Sequence, residues 1–288
     1  MKTLRSTLRL WCIAPCAAFL LAPLPVSAQV LGTAGSYGAL GSTTVTNTGN
    51  TVITGDLGVS PGLAITGFSA IDGGPGLFSG AVNQGNAAAA QARADLSTAY
   101  TTLAGLAFTS DLSGQDLGGL TLTPGVYRFS SSAQLTGTLT LDAQGNNDAR
   151  FVFQIGSTLT TASNSAVSFI NLSLSDECGP NNGLFWQVGS SATLGTDSRF
   201  AGNILALTSI TLNTGASIDF GRALARNGAV TLDNNRIDAS DADGGFCLDG
   251  GPGGPGGTTA VPEAGTYGLI GSGVLLFAVM WRRRISAL

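Results

Sequence analysis

The sequence predicts a mainly β protein whose short strands stack as the coils of a solenoid, with one long α-helix alongside. Three observations lead to this prediction. A hydroxyl or small residue, an apolar residue and a threonine recur in that order, as in residues 44–46 and 209–211. Glycine, asparagine and aspartate interrupt the apolar runs at short intervals, as corners between strands require. A single Ala-rich segment has a helical period instead.

The recurring pattern predicts one surface. On a strand, a period of two sends the apolar side chains inward and the threonines outward. Ile210 and Leu212 are therefore expected in the core, beside an outward Thr211. Stacked strands would then present a flat array of short hydroxyl and methyl groups, suited to matching a regular surface. The residues assigned to this array are Thr44, Thr46, Thr138, Thr140, Thr158, Thr160, Ser191, Thr193, Ser209, Thr211, Ala229 and Thr231.

Internal repeats indicate how the strands stack. FQIGS at residues 153–157 recurs as WQVGS at 186–190, and ITL at 210–212 recurs as VTL at 230–232. Repeats this close leave no room for a helix between successive strands, which is typical of stacked β-coils. Each coil would add a layer about 4.8 Å from the last.

The Ala-rich segment from about residue 85 to 105 predicts the helix. Asn86 can cap its start and Gly105 can end it. A helix of this length spans about 30 Å, the height of a stack of about six coils. We therefore expect it to lie lengthwise along the solenoid and to cover apolar side chains. The face expected to pack comprises Ala89, Ala92, Leu96, Ala99, Tyr100 and Leu103.

The N-terminal residues read as an export signal. Lys2, Arg5 and Arg9 precede an apolar run, and small residues at 26–28 then form a cleavage site. This arrangement predicts a signal peptide over residues 1–28. Prolines interrupt the run, which disfavours the alternative of a retained membrane anchor.

The C-terminal residues are predicted to form a second targeting segment. A Gly/Pro linker at residues 249–260 separates the predicted solenoid domain, 29–248, from a tail at 261–288. In the tail, Val261, Pro262 and Glu263 precede an apolar stretch that is just long enough for a transmembrane segment, and three arginines follow it.

This tail resembles the PEP-CTERM sorting signal of Gram-negative bacteria, although Ala264 stands where a second proline is usual. The resemblance implies export across the inner membrane, processing by an exosortase-type enzyme, and a final location at the cell surface or in the extracellular matrix. A plain tail anchor is the alternative.

The composition of the chain argues against several classes of function. Charged residues make up 10% of the chain, the net charge is −4 and histidine is absent. Nucleic acid is therefore not an expected partner. Without histidine there is no Ser-His-Asp catalysis, and no acidic pair recurs on a repeated strand, so we predict no enzyme and no cofactor. Asp238, Asp241 and Asp243 lack the spacing of an EF-hand, so we assign no metal.

Two cysteines, Cys178 and Cys247, remain once a signal peptide containing Cys12 and Cys16 is removed. In an oxidising compartment they are expected to form one disulfide. It would close a loop of about 70 residues and contribute about 4 kcal/mol. Free or intermolecular thiols are the alternative.

Several motifs in order along the chain, from about residue 31 to 237, resemble the ice-binding protein family of bacteria, fungi and diatoms. The motifs are GDLGVSPG at 55–62, ADLSTAY at 94–100, LTPGVY at 122–127, FWQVG at 185–189 and GRALA at 221–225. The resemblance implies a right-handed, discontinuous β-solenoid of triangular section with an α-helix packed alongside. It also implies that a flat Thr/Ser/Ala-rich face binds ice.

The function implied is ice binding, as antifreeze activity or inhibition of ice recrystallisation, with the ice crystal surface as the partner. The family's ice face often reads Thr-Ala/Gly-x-Thr, which residues 208–211 and 227–231 match only loosely. Strong thermal hysteresis is therefore not expected. The alternative function is a structural or adhesion protein of the cell surface or of an exopolysaccharide matrix, without ice activity.

Overall fold

The computed structural model describes residues 30–173 and 182–240. Within these ranges the chain forms three parallel β-sheets, which are the three sides of a solenoid. The predicted signal peptide, linker, sorting tail and Cys178–Cys247 disulfide lie outside the described residues. No helix in the described ranges is long and apolar enough to cross a membrane.

Sheet A has nine strands. In stacking order they are β7 (Val82–Gln84), β4 (Asp56–Val59), β1 (Tyr37–Gly41), β22 (Ala223–Ala225), β19 (Asn203–Ala206), β16 (Gly183–Val188), β13 (Arg150–Ile155), β10 (Gly125–Phe129) and β8 (Ser110–Asp111).

Sheet B has seven strands. In the same direction they are β5 (Ala64–Thr66), β2 (Thr44–Asn47), β23 (Val230–Leu232), β20 (Ile210–Leu212), β17 (Ala192–Leu194), β14 (Leu159–Thr161) and β11 (Ala133–Leu135).

Sheet C has eight strands. They are β6 (Leu77–Phe78), β3 (Val52–Thr54), β24 (Arg236–Asp238), β21 (Ser217–Asp219), β18 (Arg199–Ala201), β15 (Ala166–Ile170), β12 (Thr138–Asp142) and β9 (Thr121–Leu122). A 3₁₀ helix at Gly32–Ser36 and a short helix α1 at Ser69–Asp72 complete the minor elements.

The order of the coils in the stack differs from their order in sequence. The N-terminal strands β1, β2 and β3 pair with the last strands β22, β23 and β24. The first coils therefore sit on the far side of the last coil, and the chain has to return from β7 at one end of sheet A to β8 at the other. This is the discontinuous solenoid that the family resemblance implied.

Helix α2 (Ala87–Ala104) makes that return, and it packs along the solenoid as the sequence predicted. Asn86 caps it by accepting a hydrogen bond from the Ala89 amide at 2.9 Å, and Gly105 ends it. The buried helix residues are the six expected from the sequence: Ala89, Ala92, Leu96, Ala99, Tyr100 and Leu103. At 18 residues the helix spans about 27 Å, so it covers most but not all of nine strands about 4.8 Å apart. The stack thus has more layers than the six expected.

Two apolar layers hold this arrangement together. One fills the interior of the solenoid, and the other lies between α2 and the outer surface of sheet A. In the interior, Tyr127, Phe153 and Trp186 occupy the same position in successive coils and stack on one another, with Phe153 and Trp186 ring centroids 4.0 Å apart. The FQIGS and WQVGS repeats therefore lie in adjacent coils, and their first residues belong to one column of stacked aromatic rings.

The glutamines of those repeats serve the helix. Gln154 and Gln187 pair in register on sheet A and are almost fully buried. The Gln154 amide donates to the carbonyls of Leu103 and Leu106, both at 2.8 Å. It therefore joins sheet A to the last turn of α2 and to the residues that follow the helix.

A fully buried arginine joins the two ends of the described solenoid chain. Arg222 donates to the Gly35 carbonyl at 2.7 Å, to Asn203 Oδ1 at 2.9 Å and to the Ala239 carbonyl at 3.3 Å. Its guanidinium thus ties the segment before β1 to the last coil. Within the GRALA motif at residues 221–225, the side chain that makes these polar contacts is that of Arg222.

Candidate functional site

The outer surface of sheet B brings together threonines from adjacent strands. The middle outward position of each strand pairs directly with its equivalent in the next strand. We call this set the central column. In stacking order it comprises Thr66, Thr46, Thr231, Thr211, Thr193, Thr160 and Gln134.

A second set runs parallel to it. The residues two positions before the central ones lie within the strand or directly ahead of it, and in extended chain, with its period of two, their side chains point to the same face. This leading column comprises Ala64, Thr44, Ala229, Ser209, Ser191, Thr158 and Ser132. Every member is short, so the two columns together form a surface on which Gln134, at one end, is the only long side chain among the residues named.

The spacing of the array follows from strand geometry. Neighbouring strands lie about 4.8 Å apart, and outward residues two apart on a strand lie about 6.6–6.8 Å apart. Seven strands give a surface about 29 Å long. The β-branched threonines have few χ1 choices, so their hydroxyl and methyl groups are held in fixed directions.

The inward neighbours keep this surface in place. Val45, Ile65, Leu159, Ile210 and Val230 alternate with the outward residues and are 2% exposed or less. They pack in the interior core, where any shift of a strand would open a cavity. The prediction that Ile210 and Leu212 face the core beside Thr211 is confirmed.

Repeated corners set where the strands leave sheet B. Asn164, Asp197, Gly215 and Asn234 occupy the same turn in successive coils, and all have positive φ between 55° and 75°. This left-handed conformation favours Gly, Asn and Asp. These residues are among the Gly, Asn and Asp residues that interrupt the apolar runs of the sequence. They turn these coils from sheet B into sheet C.

The other two sheets offer different surfaces. Helix α2 covers much of sheet A. Sheet C presents charged side chains: Arg236 forms ion pairs with Asp219 and with Asp238, the latter at 3.3 Å. Burial raises the pKa of the Asp219 carboxyl, and Asp238 adds to this effect while Arg236 opposes it. Among the described residues, the strands of sheet B contain no charged residue.

The structure separates two of the predicted array residues from the rest. Thr138 and Thr140 lie on β12 of sheet C, where they pair with Ala166 and Ser168. The predicted residues therefore do not form one face. The residues that do share the two columns of sheet B are Thr44, Thr46, Thr158, Thr160, Ser191, Thr193, Ser209, Thr211, Ala229 and Thr231.

Sequence reasoning also missed both ends of the array. Ala64 and Thr66 add a strand beyond Thr44 and Thr46, and their Ala-Ile-Thr pattern has the same form as Ala-Val-Thr at 229–231. This signal was present in the sequence. Ser132 and Gln134 add a strand at the opposite end. There the glutamine breaks the pattern, so the sequence contained no comparable signal.

Within the described ranges, potential metal-ligating side chains are not clustered. These ranges contain no group of three or more His, Cys, Asp or Glu residues placed to hold a metal. A polar groove of about 500 Å³ runs over sheet C between Asp197, Arg199 and Ser217. Its lining brings together one acidic and one basic side chain, and the other lining residues are uncharged.

Comparisons with known proteins agree with this architecture. Residues 39–238 match the family described as ice-binding-like, and residues 260–284 match the PEP-CTERM protein-sorting motif. The chain is 58% identical over 211 residues to an ice-binding protein of Nostoc sp. (strain HG1), covering 73% of this chain and 74% of that protein. It is 32% identical over 220 residues to an ice-binding protein of Flavobacterium frigoris (strain PS1), covering 72% and 75%.

A solved structure has the same fold. The crystal structure of an ice-binding protein from the Antarctic ascomycete Antarctomyces psychrotrophicus superposes with a TM-score of 0.66 at 41% identity. The match covers 73% of this chain and 98% of that one.

Proposed function

This chain belongs to the ice-binding-like family, and we propose that it binds ice through the outer surface of sheet B. One observation carries the proposal: six threonines stand in register on adjacent strands of sheet B, whose strands, in the described part of the chain, contain no charged residue. They are Thr66, Thr46, Thr231, Thr211, Thr193 and Thr160.

The mechanism we propose is collective. A hydroxyl can donate one hydrogen bond to water and accept others, while the adjacent methyl group fills the space between water molecules. A rigid grid of such groups orders surface water into a layer that merges with the ice lattice. Each contact is weak, but the threonines lose little rotamer entropy on adsorption because they are already constrained. Adsorbed molecules then curve the ice front between them and oppose growth and recrystallisation.

An ice-affinity partition of residues 29–248 tests this proposal. Slowly grown ice should be enriched in the protein relative to the remaining liquid, and a soluble protein without an ice face should be excluded. Equal exclusion of both proteins would refute ice binding.

The second candidate function, a structural or adhesion protein of the cell surface or of an exopolysaccharide matrix, is favoured by the sorting motif. Exclusion from ice together with retention on purified exopolysaccharide would support it. Among the described residues, the strands of sheet B carry no acidic or basic side chain, so we propose a binding protein and not an enzyme under either function.

We also propose that the chain is exported from a Gram-negative cell and that an exosortase-type enzyme recognises Val261, Pro262 and Glu263. The match of residues 260–284 to the sorting motif supports this. Replacing Pro262 and Glu263 by alanine should leave the tail attached and keep the protein in the membrane fraction. Unchanged processing of that variant would refute recognition at these residues.

The proposed disulfide between Cys178 and Cys247 is compatible with the described flanks. Ser173 follows β15 and Ser240 follows β24, and both strands belong to sheet C. Those strands are three steps apart in the stack, about 14 Å, which the intervening residues can span. The intact mass of the exported protein should increase by two hydrogens on reduction; labelling of both thiols without reductant would refute the pairing.

A further inference from the structure

The two columns of sheet B differ in what their hydroxyl groups contact. In the leading column, Ser209 Oγ accepts a hydrogen bond from the backbone amide of Ala229 at 3.2 Å. Ser191 Oγ accepts from the amide of Ser209 at 3.4 Å. Ser132 Oγ accepts from the hydroxyl of Thr158 at 2.8 Å. In each pair the acceptor belongs to one coil and the donor to its neighbour in the stack.

These bonds occur where the coil turns from sheet A into sheet B. Strands β20 and β23 begin at Ile210 and Val230, so the amides of Ser209 and Ala229 lie one residue ahead of the paired strands. A backbone amide at such a position needs an acceptor. The serine hydroxyl of the neighbouring coil supplies it, as short hydroxyl side chains often do next to regular structure.

The central column is different. Within the described part of the chain, none of its threonine hydroxyls donates to or accepts from another protein group at hydrogen-bond distance. Thr66, Thr160 and Thr231 are exposed, and Thr46, Thr193 and Thr211 are half-buried between their neighbours. Their hydroxyl groups therefore remain available to water.

We propose that the two columns have separate tasks in the ice face, an inference that rests on the proposed function. The leading serines are positioning residues, which hold neighbouring coils at a fixed separation through a side-chain to backbone hydrogen bond. The central threonines are the contact residues, whose free hydroxyl and methyl groups meet the ice.

Two substitutions on one strand test the division, because Ser209 and Thr211 are only two residues apart. In the full chain, Ser209→Ala removes the acceptor of the Ala229 amide, and Thr211→Ala removes a contact residue. The measurements are the hydrogen-exchange rate of the Ala229 amide and the inhibition of ice recrystallisation at equal concentrations of folded protein. Ser209→Thr is the control, because it restores an acceptor oxygen.

Ser209→Ala should speed exchange of the Ala229 amide roughly five- to tenfold, the effect of losing one hydrogen bond of ordinary strength. It should lower the melting temperature by about 2–4 °C. Ser209→Thr should return both values towards those of the original chain. Thr211→Ala should leave the Ala229 exchange rate unchanged and reduce recrystallisation inhibition more than Ser209→Ala does.

Unchanged exchange of the Ala229 amide in Ser209→Ala would overturn the positioning role. A greater loss of ice activity in Ser209→Ala than in Thr211→Ala would overturn the division into tasks. If the original chain itself inhibits no recrystallisation, the proposed function fails, and the exchange measurement still decides whether Ser209 positions the next coil.

Discussion

Sheets B and C of this solenoid share one core, but their outer surfaces differ in charge and in side-chain length. Seven coils contribute a strand to both sheets, and the inward residues are equivalent: Ile210 under sheet B and Ile218 under sheet C are both fully buried. Outward, sheet B carries short hydroxyl groups, whereas sheet C carries Arg199, Arg236 and Asp219. The shared core therefore depends on the inward residues, and the outward side chains give the two sheets their different surfaces.

The difference in side-chain length matters as much as the difference in charge. Along one column of sheet C, Arg199 stands between Ala166 and Ser217, and Arg236 follows Ser217. Long and short side chains alternate, so no plane forms. A regular lattice can contact sheet B along its length, whereas on sheet C the arginines would hold it off and would have to lose their hydration.

The largest expected effect comes from disturbing the plane of sheet B. Replacing both Thr211 and Thr231 by tyrosine should nearly abolish recrystallisation inhibition, because bulky rings would hold the neighbouring grid away from the lattice. The melting temperature should change little, since both side chains point outward from a strand and aromatic residues favour strands. An ice recrystallisation assay and thermal unfolding measure the two effects.

Thr138→Tyr is the matched control, because Thr138 has the same residue type and an exposed strand position on sheet C. It should retain full ice activity. If the control loses activity and the sheet B variant does not, the ice face lies on sheet C.

The next effect tests whether the two sheets share one core. Ile210→Ala and Ile218→Ala each remove a fully buried side chain from the same coil, and each should cost about 2–5 kcal/mol of unfolding free energy. Denaturant unfolding measures this cost. Similar values are expected because both residues belong to one apolar cluster. A negligible cost at either position would contradict the shared core.

Much of this architecture follows from local patterns, and the remainder depends on how coils meet. The face of α2 was predictable because a helical period is contained in one segment. The sheet that holds Thr138 and Thr140 was not, because coil length varies: Ser132 and Thr158 are 26 residues apart, whereas Ser191 and Ser209 are 18 apart. Alternation identifies an outward threonine but not the side of the solenoid on which it lies.

The array is also hard to predict because neighbouring strands in it can be far apart in the sequence. Thr46 pairs with Thr231 although they lie at opposite ends of the described chain. No spacing in the sequence predicts that neighbour, because α2 has to return the chain before the later coils can stack back towards it. The hydrogen bonds of Ser191 and Ser209 depend on the same stacking, so the sequence could not distinguish positioning residues from contact residues.

A smaller effect is expected at the end of the array. Gln134 is the one long side chain of the central column and lies on the terminal strand β11. Gln134→Thr would lengthen the plane by one strand, and should raise recrystallisation inhibition modestly without lowering stability, since threonine favours strands. A loss of activity would mean that the glutamine itself contacts ice.

The smallest effect concerns pH and separates the charged sheet from the uncharged one. Burial raises the pKa of Asp219 above its ordinary value, with Asp238 adding to the shift and Arg236 opposing it. A carboxyl whose pKa is higher in the folded state binds its proton more tightly there. Its contribution to stability is therefore complete below the pKa of the unfolded chain and is lost as pH rises through the pKa of the folded one.

Asp219→Asn should remove this component, so that the variant loses less stability than the original chain on going from acid to neutral pH. Melting temperatures across that range measure the difference. Recrystallisation inhibition of the folded protein should show no such dependence, because the strands of sheet B contain no titratable group in the described structure. Ice activity that followed the titration of Asp219 would mean that sheet C takes part in adsorption, and the functional contrast between the two sheets would fail.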